Sequence, residues 1–200
     1  AFGHNNFSTE LNDAGKVIDL LFSNESPVPA RETDLSRFYL MGHSRGGASA
    51  LLKTAEDTRI KAVVTLAAVS DLASRYPAKI LEMWKKEGVL MVPNARTRQE
   101  MPMYYQIVED YQQNEDRLDV LRAAAGIKAP VLSFHGTADE SVSLDHVHQI
   151  KKVCPHAEIV VVEGANHTFG GTHPYETPEL PPDKLFVLEK IVVFLKELSS

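Results

Sequence analysis

The chain has 200 residues, 44% of them apolar and 24% charged, proportions that suit one globular domain able to bury a substantial core. Its 21 Lys and Arg against 27 Asp and Glu leave a net charge of −6 with no basic run, which argues against a nucleic-acid or anionic-membrane surface. No stretch is apolar for the length of a membrane span or reads as a signal peptide, and the single cysteine, Cys154, excludes an intrachain disulfide and a cysteine-rich metal site.

A lone cysteine fits a reducing compartment such as the cytoplasm. The chain opens Ala1-Phe2-Gly3 without methionine, so a native start is expected upstream. Residues 1–7 read as a strand end and a glycine-containing loop. Ser8 or Thr9 is placed to cap a helix running to about Ser23, with Leu11, Ala14, Val17 or Ile18, and Leu21 on one face. A polar, proline-bearing loop (24–36) leads to a short strand at 37–41 and a helix at 46–56. Ile60 to Ala68 is a nearly continuous apolar run, as expected of a strand buried on both faces of a parallel sheet. Pro130 to His135 and Ala157 to Val162 repeat that pattern, with a helix between them at 143–152. The final helix, about Asp183 to Leu198, puts Leu185, Leu188, Ile191, Val192 and Leu195 on one face. Strands alternating with helices predict an α/β fold, a mainly parallel sheet flanked by helices, over residues 1–200 as one domain.

Residues 71–125 break the rhythm and read as a cap-like insertion of helical pieces around an extended segment near Val89 to Val92. It holds Trp84, four of the five methionines and the Tyr104-Tyr105 pair. Any one of these side chains is more often packing than pocket. As a group they suit an apolar substrate pocket, with Trp84, Met91 and Tyr104 as its candidate lining.

The chemistry is carried by Gly42-His43-Ser44-Arg45-Gly46, a Gly-x-Ser-x-Gly run between a predicted strand and a predicted helix. That context is a nucleophile elbow, in which a strained turn projects the serine hydroxyl from the strand end. Gly42 and Gly46 are expected where side chains would clash between strand and helix. A phosphate loop would require Gly-Lys-Ser/Thr, which Arg45 does not supply. Serine needs a histidine to take its proton and an acid to orient that histidine, in the chain order Ser, acid, His. Asp139 follows the strand ending near His135, with Glu140 beside it and Asp71 as a further fallback. His167 follows the last strand, with His173 as its competitor. Of the other histidines, His43 and His135 read as structural. His146 and His148 face different sides of a helix and make no metal pair.

The runs Gly-His-Ser-Arg-Gly-Gly, His-Gly-x-x-Asp-Glu-x-Val and Gly-Ala-Asn-His-Thr-Phe resemble those of α/β-hydrolase serine esterases. The dienelactone-hydrolase-like and acyl-peptidase-related branch is the nearest. The resemblance implies Ser44 as nucleophile, Asp139 as acid, His167 as general base, no metal or cofactor, and a small-molecule ester as substrate. Dienelactone hydrolases proper use a cysteine nucleophile, and Ser44 departs from that toward ordinary ester cleavage. One oxyanion donor would be the Arg45 backbone N–H. The second would come from a loop after an earlier strand, and only about 37 residues precede the elbow strand. The N-terminal strands of the sheet are therefore expected to be absent from this chain. A peptidase or amidase of the same fold, a silent binding protein, and an inactive piece of an active enzyme are the alternatives.

Overall fold

The computed structural model describes residues 2–73, 76–94 and 97–198. Four strands, β1 (Tyr39–His43), β2 (Ala62–Leu66), β5 (Val131–Gly136) and β6 (Glu158–Val162), form a parallel sheet in the order β1-β2-β5-β6. Adjacent residues of a strand face opposite sides, and here both sides are covered. Val63 and Val131 face α1 (Phe7–Leu21), α2 (Arg45–Glu56), α6 (Val120–Gly126) and α7 (Asp145–Val153), packing with Leu11, Leu51, Leu52 and Ile150. Val64, Leu132 and Phe134 face the other way, against Phe169 and against Val187 and Ile191 of α8 (Pro182–Glu197). This double burial explains the unbroken apolar runs of β2 and β5. Among the described residues strand β1 pairs with β2 alone and lies at the sheet edge, where Met41 is 62% exposed.

Several local expectations need correction. The chain opens with a 3-10 turn at Phe2–His4, not a strand end, and Asn6 caps α1 by accepting the Thr9 N–H at 2.8 Å. Ser8 lies inside the helix, its N–H drawn to Asp110. In α8 the buried side is Val187 and Ile191, with Phe194 and Leu195 beside them, while Leu185, Leu188 and Val192 are exposed.

Between β2 and β5 lie α3 (Ala78–Glu87), α4 (Gln106–Gln113), α5 (Glu115–Leu118) and α6. They do not surround one short extended segment: β3 (Val89–Asn94) and β4 (Gln99–Tyr104) pair as an antiparallel hairpin. The hairpin packs on α3 and α4 around Trp84, Met103 and Ile107, a small core of its own. Leu118, Val120 and Ala124, at the end of the insertion, belong instead to the main core over the sheet.

Candidate active site

The turn after β1 places Ser44 at φ 56°, ψ −123°, a left-handed conformation that a residue with a Cβ adopts at a cost of about 1–3 kcal/mol. The surrounding chain holds it there. Its N–H donates to Leu66 O on β2 at 2.8 Å, and its carbonyl accepts from Gly47 N at 2.9 Å as α2 begins. A Cβ on Gly42 would stand 2.0 Å from Gly46 O, and one on Gly47 would stand 2.6 Å from Ala68 Cβ. The close approaches therefore require Gly42 and Gly47. Gly46, expected to be the second of the pair, has open space around its Cβ position.

The loops after β5 and β6 are joined to each other. A Cβ on Gly136 would fall 2.1 Å from Ala165 O, so only glycine lets them meet. Thr137 N donates to Val162 O, Ala138 N to Ala165 O, and Gly164 N to Thr137 Oγ1 at 2.8 Å. This seam brings His167 onto Asp139, Nδ1 to Oδ2 at 2.8 Å. The Asp139 side chain is 1% exposed, and its Oδ1 accepts from Ser141 N at 2.8 Å and Val142 N at 2.9 Å. Burial raises its carboxyl, but the hydrogen bonds from His167, Val142 and Ser141 outweigh burial and hold it below the usual carboxylate range. A carboxylate there requires His167 to carry its proton on Nδ1, which leaves Nε2 as a lone pair.

Two further histidines buttress the pair. His43 Nε2 donates to the His167 carbonyl at 2.8 Å, its ring centroid 4.6 Å from that of His167. His135 is fully buried, and its Nε2 donates to Val142 O at 2.9 Å, with Asp139 Oδ2 at 3.4 Å. Burial lowers the pKa of both, so both are favoured neutral. Glu140 and His173 are exposed.

Ser44 and His167 share the wall of one cavity of about 590 Å3. Among the described residues no hydrogen bond joins Ser44 Oγ to His167, a gap common where no substrate closes the site. Arg45 also lines the cavity. Its N–H belongs to the first turn of α2, where the helix offers no acceptor, and its guanidinium pairs with Glu10 at 2.7 Å. Among the described residues no strand precedes β1, so no loop of that kind supplies a second donor. Asp71, which follows β2, lines the cavity too.

The remaining walls are not those expected. Trp84 is fully buried behind the cavity, its Nε1–H donating to Met103 O at 2.8 Å. Met91 is 49% exposed, and Tyr104 packs on His4 with ring centroids 4.8 Å apart. None of the three lines the cavity. Its apolar walls come from Phe7 on α1 and from Leu72, Tyr76, Leu81, Met103 and Ile107 of the insertion. Met103 was visible in sequence only as one methionine among several, and Phe7 carried no signal at all. His146 on α7 reaches the same cavity. Among the described residues no group of His, Cys, Asp and Glu could hold a metal ion, and no helix is long and apolar enough to cross a membrane.

Residues 8–180 match the sequence profile of the prolyl oligopeptidase family. The chain belongs to that family. Among curated proteins no relative matches this prolyl oligopeptidase family member. It is similar to the structure of Est1E from Butyrivibrio proteoclasticus with ferulic acid bound, at 20% identity and TM-score 0.68, covering 99% of this chain and 71% of that one. The Paleococcus ferrophilus monoacylglycerol lipase has 19% identity and TM-score 0.66, with 96% and 76% covered. Porphyromonas gingivalis dipeptidyl peptidase 4 has 15% identity and TM-score 0.60, with 96% of this chain but 23% of that one covered. At these identities the likenesses establish the α/β-hydrolase fold, and the family makes this chain a hydrolase.

Proposed function

We propose that this family member is a serine hydrolase cleaving carboxylic esters of small molecules through an acyl-enzyme. Ser44 Oγ attacks the ester carbonyl carbon while His167 Nε2 takes its proton. The Arg45 N–H holds the developing oxyanion, and the alcohol leaves with the proton from His167. Water then gives a proton to His167 and attacks the acyl carbon, releasing the acid and restoring Ser44. Asp139 fixes the tautomer and stabilises the imidazolium. The observation that carries this reading is the 2.8 Å bond from His167 Nδ1 to buried Asp139 at the wall of the cavity that also holds strained Ser44. The apolar walls favour a small acyl or alkyl group over an extended peptide, whose backbone would need polar partners.

The family match favours a second reading, hydrolysis of peptide or amide bonds by the same groups. Two experiments decide. A fluorophosphonate probe should label Ser44 and fail to label Ser44→Ala, and p-nitrophenyl butyrate should be cleaved faster than dipeptide p-nitroanilides. Unchanged ester hydrolysis in Ser44→Ala would sink both readings, and anilide cleavage alone would select the second.

A further inference from the structure

Ser70 follows β2 and is 2% exposed. Its backbone N–H donates to His146 Nδ1 at 3.1 Å. Its Oγ lies 2.8 Å from the same nitrogen and donates to Gln149 Oε1 at 2.6 Å. A backbone N–H can only donate, so Nδ1 must carry the lone pair and the ring proton sits on Nε2. The ring is thus locked from the buried side, in one tautomer, by a residue 76 positions away. His146 lines the cavity together with Ser44 and His167, and among the described residues its Nε2–H has no hydrogen-bond partner.

Neighbouring groups give that N–H a distinct task. Asp71 and Glu115, also on the cavity, can only accept when ionised and so cannot serve an ether or carbonyl oxygen. The Arg45 guanidinium is occupied by Glu10. Tyr111, Gln112 and Ser141 also line the cavity and can either donate or accept, whereas His146 presents a donor alone, its ring fixed from the buried side. A hydrocarbon substrate filling the cavity would strip water from Nε2–H and return no partner, whereas a substrate with an oxygen at that point would replace the water.

We propose that His146 is a specificity-determining residue: its Nε2–H, fixed by Ser70, donates a hydrogen bond to a second oxygen of the substrate, an ether or carbonyl oxygen outside the scissile ester. The assignment rests on the ester-hydrolase reading and narrows its substrates to oxygen-bearing esters.

The test uses isosteric pairs: p-nitrophenyl methoxyacetate against p-nitrophenyl butyrate for the acyl side, and 2-methoxyethyl acetate against butyl acetate for the alcohol side. Intrinsic reactivity cancels when each kcat/KM ratio is compared between proteins. In one of the pairs, His146→Phe should lower the oxygen-to-carbon ratio by about three- to tenfold, the range for a neutral hydrogen bond. His146→Gln, which keeps a donor, should recover part of it. A merely structural role would slow both members of a pair alike. Equal ratios in wild type and His146→Phe for both pairs would overturn the proposal. A second arm needs no turnover: in Ser44→Ala, heteronuclear NMR should show the His146 Nε2–H resonance moving with one of the ether esters and not with its alkyl isostere. If wild type cleaves none of the four esters, the ester reading falls, and this arm alone decides. An equal response to ether and alkyl isosteres, or a proton found on Nδ1, would then overturn the role of His146.

Discussion

Asparagine at position 139 separates the chemical from the architectural role of the acid. Asp139 uses its two oxygens for different work. Oδ1 takes the Ser141 and Val142 N–H groups, and Oδ2 takes His167 Nδ1. Asp139→Asn can keep Oδ1 where it is and retain both loop bonds, now neutral. That weakening should cost about 2 kcal/mol in total, the difference between charged and neutral hydrogen bonds taken twice. Its NH2 group would then face His167, which could no longer keep a proton on Nδ1. The proton would move to Nε2, the nitrogen that must accept from Ser44. The expected loss in kcat is about 10⁴-fold, or about 5.5 kcal/mol of transition-state stabilisation. Asp139→Ala abolishes all three bonds and should cost about 3–6 kcal/mol of stability as well. Steady-state kinetics with p-nitrophenyl butyrate gives the first quantity and urea titration the second. Activity of Asp139→Asn within tenfold of wild type would refute the assignment. Loss of activity in Glu140→Gln or Asp71→Asn instead would show where the acid lies.

Gly42→Ala should lose about 3 kcal/mol or more, because its Cβ meets Gly46 O, while Gly46→Ala should gain up to about 1 kcal/mol from helix propensity. Thermal melts giving equal shifts would contradict the elbow geometry. Burial keeps His135 neutral in the folded protein, so the unfolded chain binds more protons below the ordinary histidine value of 6.5. That contribution is complete above that value and is lost as pH falls below it, so the urea midpoint should drop between pH values of about 7.5 and 5.5. His135→Gln, which keeps a donor for Val142 O but does not titrate, should show a smaller drop, and an undiminished one would contradict this account. Met103→Ala should enlarge the cavity and move the acyl-chain optimum to longer esters. Trp84→Phe should cost about 0.5–1.5 kcal/mol through the lost hydrogen bond to Met103 O and leave that optimum in place.

The parts of this architecture legible in sequence were those written in local pattern. The runs at 60–68 and 130–135 are apolar because both sheet faces are covered there, whereas β6, in the run at 157–162, is an edge strand with Val161 44% exposed; Ser44, Asp139 and His167 follow strand ends because a parallel sheet gathers these loops at its carboxyl ends. The hairpin was hidden by its prolines. Pro93 and Pro102 would disqualify central strands, yet a two-stranded ribbon is all edge and tolerates them. The choice between Gly46 and Gly47 depends on which side of the first α2 turn meets Ala68, which motif spacing does not express. Trp84, Met91 and Tyr104 suggest a lining in sequence because the insertion is rich in soft and aromatic side chains. Its largest member was needed instead to give the hairpin a core. His146 could be placed on a helix, but its partner Ser70 is brought to it by the sheet.

The opening segment carries a consequence for how the enzyme can be altered. Asn6 Nδ2 donates to Gln106 Oε1, Gln106 Nε2 to Asn5 O, and Ser8 N to Asp110, bonds spanning 100 to 102 positions. Gly3 lies so close to Tyr104 that a Cβ would sit 2.8 Å from its ring. Phe7 is itself a cavity wall, and Glu10 restrains Arg45 beside the elbow. Substitutions at Asn6, Glu10 or the partners of this segment would reshape the substrate chamber from outside the loops that hold the reacting groups. Engineers seeking a new substrate would find in this short strap a second handle on specificity, remote in sequence from every loop that holds the reacting groups.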